Sequence, residues 1–198
     1  MFNKPRIIIV PGWRDSGPGH WQSLWAERLA DAVRVTQDDW ITPSRAAWIE
    51  SIGRTILRQS GPVVIAAHSL GCIATTHLLP EVMQRIQGAL LVAPADPERR
   101  GVLADFAPVP FQRLPYRSVL VASSNDPFCP VRQAGAYARA WGSEFVRVQD
   151  GGHLNVESGH GEWPLGLALL QSLVGEGGLA LKPATRTLSN STDSLETA

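Results

Sequence analysis

Four short runs along the chain are apolar without alternation: Arg6–Val10 (RIIIV), Val63–Ala67 (VVIAA), Ala89–Ala93 (ALLVA) and Ser118–Ala122 (SVLVA). A strand covered on both faces has no polar side to show, so these runs predict buried strands of a parallel sheet. Arg34–Thr36 and Glu144–Val148 (EFVRV) are weaker strand segments, the second alternating as an edge strand does. Between the runs, apolar positions recur at helical spacing, at Trp21, Leu24, Trp25 and Leu29 and again at Trp48, Ile52 and Ile56. Thr42-Pro43 reads as an N-cap followed by proline at the first helical position. Gly71–Leu79, Pro130–Trp141 and Gly161–Val174 fit further helices. This alternation predicts an α/β fold with a doubly wound, mostly parallel sheet and helices on both faces. Residues 95–115, rich in proline and poor in periodicity, form a long connection placed to cover a site.

Beyond Gly175 the pattern stops. The stretch opens with Gly175-Glu176-Gly177-Gly178, has no aromatic residue and runs through six Ser and Thr from Thr185 to Ser194. It cannot bury enough apolar surface to offset its ordering entropy, so residues 1–174 are read as one domain and 175–198 as a flexible tail. In the whole chain, 18 cations balance 18 anions. That balance argues against a nucleic-acid or acidic-membrane binder, which needs a clustered basic excess. All but two of the cations are Arg, scattered along the chain, and they read as solvated surface with none forming an anion site. Cys72 and Cys129 make neither a disulfide framework nor a zinc pattern, and no His pair has metal-ligand spacing with a carboxylate. No cofactor and no metal are expected. The apolar start, Ile7–Val10, is too short for a signal peptide or a membrane span, so a cytoplasmic domain is expected. Five of the seven Trp fall in the first 48 residues.

In a parallel sheet, ligands bind at the carboxyl ends of the strands, so the residues just past each strand matter most. After VVIAA comes Ala67-His68-Ser69-Leu70-Gly71, the nucleophile-elbow pattern G-x-S-x-G with Ala at its first small position. The strand-to-helix turn is tight enough that larger side chains two before and two after the serine would strike neighbouring backbone. A serine is a weak nucleophile until a base takes its proton, and the base needs a carboxylate to orient it. Asp126 follows SVLVA, and His153 follows EFVRV on the permissive turn Gly151-Gly152. The order Ser, Asp, His is that of an α/β-hydrolase triad. Asp96 and Asp150 are the competing acids. His68 points the wrong way along the strand alternation, and His77 and His160 read as structural. The backbone N–H groups of Leu70 and of Trp13, in the loop after the first strand, are the expected oxyanion donors. Gly12, Trp13 and His68 are the expected pocket residues. The glycine-rich loop from Pro11 to Trp21 contains neither G-x-G-x-x-G nor a G-K-[ST] ending, so it does not read as a phosphate cradle.

With these residues placed, the chain resembles the RBBP9/YdeN family of compact α/β-hydrolase-fold serine hydrolases. The matching pieces are Pro11-Gly12-Trp13, Ser16, His20-Trp21-Gln22 with Trp25, Asp39-Trp40, Pro43, Trp48, Ala67–Cys72, Asp126-Pro127 and Gly152-His153, across about residues 5–174. The resemblance implies a sheet of about six strands, a minimal cap and a Ser69–Asp126–His153 triad. A relative's L-x-C-x-E partner motif does not carry over, because Leu70–Ala74 lacks the final Glu. The expected activity is hydrolysis of small carboxylic esters, with amides as the second bond class, through an acyl-enzyme. The alternatives are a protein-interaction module on the same fold and an acyltransferase using the same triad. The expected partner is a small-molecule substrate, with no nucleic acid and no membrane, acting on a monomer or weak dimer. Trp21, Trp25 and Trp48 read as core, Trp13 as a pocket wall, and Trp40 stands between the two.

Overall fold

A computed structural model describes residues 4–183. Six strands form one parallel sheet: β1 (Arg6–Val10), β2 (Ala32–Arg34), β3 (Val63–His68), β4 (Ile86–Val92), β5 (Arg117–Ser123) and β6 (Glu144–Val148). Their order in space is β2-β1-β3-β4-β5-β6. Pairing in register sends alternate side chains to opposite faces. Ile8, Val10, Ile65, Ala67, Leu91 and Leu120 join one core layer, while Ile7, Ile9, Val64, Ala66, Leu90 and Val121 join the other. The unalternating apolar runs follow directly from this, since both faces are dry. The first layer is completed by α2 (Arg45–Leu57), α3 (Leu70–Thr76) and α5 (Val131–Trp141), the second by α1 (Trp21–Arg28) and α6 (Pro164–Val174). This is the α/β-hydrolase arrangement. A one-turn α4 (Pro80–Met83) precedes β4, and two 3₁₀ segments, Pro97–Arg99 and Gly101–Phe106, stand where a larger cap would be inserted.

Four boundaries differ from the sequence reading. The second strand lies two residues earlier, at Ala32–Arg34, because its parallel register with β1 begins at Ile7 opposite Ala32. Thr42-Pro43 does not open α2. Asp39 accepts the N–H groups of Ile41 and Thr42, which spends Thr42 in a turn and delays the helix to Arg45, capped by Ser44. The Arg45 N–H is taken by Asp105 at 2.6 Å, which ties the cap segment to this helix. The helix after the elbow stops at Thr76, and the last begins at Pro164.

The tail is corrected as well. Residues 175–182 do not run free: Ala30 N–H donates to Ala180, Lys182 N–H donates to Arg28, and Leu181 pairs antiparallel with Leu29. Backbone pairing holds this piece where side-chain composition gave no sign of it. The remaining tail positions, from 184 on, lie outside the described residues. No helix among the described residues is long and apolar enough to cross a membrane.

Candidate active site

β3 delivers Ser69 into a turn with φ 53° and ψ −119°, a conformation that side-chain-bearing residues avoid. Backbone bonds fix it there: the Ser69 N–H donates to Val92 at 3.0 Å, and the Ser69 carbonyl accepts from Cys72 and Ala95. A methyl group at Gly71 would stand 2.5 Å from the carbonyl oxygens of both Val10 and Pro11. One at Gly12 would stand 2.8 Å from the Ser69 Cβ and 3.5 Å from the Leu70 nitrogen. The loop after β1 therefore lies directly against the elbow, and glycine is what lets it do so. Gln22 locks that loop. Its amide donates to the carbonyls of Val10 and Ala66 at 2.9 Å each, and its oxygen accepts from Ser16. The N–H groups of Leu70 and Trp13 donate to no protein acceptor among the described residues, so both stand available beside Ser69.

Asp126 and His153 arrive from the ends of β5 and β6. The His153 Nδ1 lies 2.8 and 3.0 Å from the two Asp126 oxygens, and its Nε2 lies 3.0 Å from the Ser69 Oγ. A carboxylate only accepts, so in the neutral imidazole Nδ1 carries the proton and Nε2 accepts from the serine hydroxyl. The Asp126 side chain is 1% exposed, and its Oδ1 also accepts the Phe128 N–H at 2.8 Å. The competing acids sit elsewhere. Asp96 caps the Pro97–Arg99 turn, and Asp150 bonds Ser124 and Gln149.

Several supporting contacts carried no sequence signal. Asn125 accepts from the Gly152 N–H and from the Ser123 hydroxyl, both at 2.8 Å, so the loop bearing Asp126 holds the loop bearing His153. Trp21 donates its indole N–H to Leu154 at 3.0 Å, so this core residue also fixes the histidine loop. His68 does not turn away from the site. Its ring lies 4.8 Å from that of His153, and its Nε2 donates to the His153 carbonyl at 2.9 Å. His20 packs 4.8 Å beyond His68. Burial holds both well below the usual imidazole range, His20 at about 4, so two neutral rings stand behind His153. His77 and His160 bond Phe106 and Ser158. Burial pushes the Cys72 thiol up and the Cys129 thiol to about 12, so neither is a ready thiolate.

Above Ser69 opens a cavity of about 420 Å³ walled by Trp13, His20, His68, Leu103, Phe128 and His153, with Arg14 and Arg100 among its lining residues. Gly12 lies beneath it, against the elbow. Trp13 is pinned by its indole N–H to Ile41 at 2.8 Å. Trp40 packs edge-on against Trp48, 5.6 Å away, at the margin of the core. No group of three or more metal-ligating side chains occurs among the described residues.

A model of the family described as serine hydrolase matches residues 7–172. The chain is 34% identical to a YdeN-like hydrolase from Pectobacterium atrosepticum, with TM-score 0.79, covering 86% of this chain and 91% of that one. It is 20% identical to the YdeN protein of B. subtilis, with TM-score 0.74, covering 85% and 98%. A monoacylglycerol lipase from Paleococcus ferrophilus shares the fold at 12% identity and TM-score 0.58, covering 87% and 96%. Among curated protein sequences, none matches the chain.

Proposed function

The chain belongs to the serine hydrolase family, of the compact YdeN type, and on that premise we propose that Ser69, His153 and Asp126 hydrolyse small carboxylic esters through an acyl-enzyme. The unbroken line of hydrogen bonds from Ser69 through His153 to Asp126 is the observation that carries this reading. His153 takes the Ser69 proton as the oxygen attacks the ester carbonyl. The tetrahedral oxyanion is held by the Leu70 and Trp13 N–H groups. His153 then gives its proton to the leaving alcohol, and water repeats the cycle on the acyl-enzyme. Asp126 keeps the imidazole in the reactive tautomer, and His68 holds the backbone carbonyl of the same residue. An amide would pass through the same steps with an amine as leaving group. No step calls for a cofactor.

A fluorophosphonate probe tests this directly, because it phosphonylates only an activated serine. Wild-type protein is expected to label, and Ser69→Ala to remain unlabelled with an unchanged melting temperature. Turnover of a p-nitrophenyl ester should fall by about 10⁴-fold or more in that variant. Absence of labelling in folded wild-type protein, or labelling that survives Ser69→Ala, overturns the reading.

A further inference from the structure

Two arginines stand in the wall of the cavity above Ser69. The Arg100 guanidinium carbon lies 4.3 Å from the Phe128 ring centroid and 5.6 Å from that of Trp13. The Arg14 guanidinium carbon lies 4.3 Å from the same Trp13 ring. Contacts to ring faces occupy the flat side of a guanidinium and leave its N–H edge free for a planar acceptor. No protein carboxylate takes that edge. Like most of the described arginines, neither Arg14 nor Arg100 has an ion-pair partner among the described residues, and these two are the ones that stand in the cavity wall. Phe128 in turn lies 4.4 Å from the His153 ring, so Arg100 stands two ring contacts from the base.

From this arrangement we propose that the site selects substrates bearing a carboxylate a few bonds from the reacting carbonyl, bound edge-on by Arg100. The inference rests on Ser69 being the nucleophile. The acidic groups in the same wall define its limits. Asp15 is already paired with Arg34, whereas Asp96 accepts only the neutral Glu98 N–H and keeps its charge. Glu157 has no partner among the described residues and faces the same cavity. Two unpaired anions in the wall disfavour a doubly charged ligand such as a phosphate monoester and leave room for a single carboxylate at the Arg100 edge. The scattering of arginines along the sequence hid this pair, because positions 14 and 100 come to one wall only in the fold.

Two fluorophosphonates of equal chain length, one ending in a carboxylate and the other in its primary amide, separate the possibilities without needing turnover. Wild-type protein should be inactivated about tenfold faster or more by the acid, as a charge-assisted pair predicts, and 0.5 M salt should shrink the ratio. Arg100→Gln should bring the ratio close to one by slowing the acid-ended probe more than the amide-ended one. A collapse of packing would slow both probes alike. Arg100→Lys, which keeps the charge and loses the fork, should fall between. Equal labelling by the two probes in wild-type protein, or a ratio unchanged in Arg100→Gln, overturns the carboxylate preference and leaves the hydrolase reading standing. Labelling by neither probe overturns both.

Discussion

Ser69 and His153 are held in place by different physics. On the Ser69 side the constraint is backbone against backbone: Gly71 presses on the carbonyls of Val10 and Pro11, and Gly12 presses on the serine itself. On the His153 side the constraint is a web of polar side chains. Asn125, His68 and Trp21 each bond the histidine loop or the residue beside it. Its glycines are crowded only by side chains, since a methyl at Gly151 would meet Leu154 and Val148 methyl groups at 2.9 Å. Backbone contact is unforgiving and specifies residue size. A polar web tolerates small displacement and specifies hydrogen-bond partners.

Paired substitutions put that contrast under strain. Gly71→Ala should be the most damaging, at about 4 kcal/mol or more, because both obstructing atoms are backbone carbonyl oxygens, one at the end of β1 and one in the residue after it. Gly151→Ala should cost about 1–2 kcal/mol, since the Leu154 and Val148 side chains can turn aside. Thermal unfolding of the two variants measures the difference, and equal losses would dissolve the distinction.

Acid probes the rings between the two halves. His20 is held at about 4 first by burial and then by the positive Arg34 nearby. In the unfolded chain the same ring titrates near its ordinary 6.5. Between those values the unfolded state binds a proton that the folded state refuses, so stability is full above about pH 6.5 and falls as pH drops toward 4. The loss from this residue is about 3 kcal/mol, and His68 shifts in the same direction. Urea unfolding at pH 7 and pH 4.5 should show the decline, with a shallower one in His20→Asn. A smaller effect belongs to the polar web. Asn125→Ala leaves the Gly152 N–H and the Ser123 hydroxyl without their acceptor and should cost about 2 kcal/mol. It should also lower kcat on a p-nitrophenyl ester more than it changes KM.

The same contrast explains what could be read from the sequence. The strands, the elbow and the order of Ser69, Asp126 and His153 were legible because steric rules demand small residues at fixed spacing and a two-faced sheet demands unbroken apolar runs. Ala67 in place of glycine did not obscure the pattern, since it packs inside a core layer. Asn125 and His20 were not legible as site residues, and the bond from His68 to the His153 carbonyl was not legible either. Each acts through a partner distant in sequence, and an asparagine that joins two loops looks like any turn asparagine. The α2 start was misplaced for a similar reason, because Asp39 and Asp105 decide it from outside the helix. The docked Leu181 was missed because backbone pairing leaves no mark on composition.

The Ser69 backbone, with φ at 53°, has a further meaning. Such a conformation costs a residue bearing a Cβ about 1–3 kcal/mol, whereas glycine adopts it freely. Judged by fold stability alone, glycine is the better occupant of position 69. A serine standing there is a departure from the most stable chain, and its hydroxyl meets the His153 imidazole. The strain itself thus argues for chemistry at this position, by a route that uses no motif and no relative.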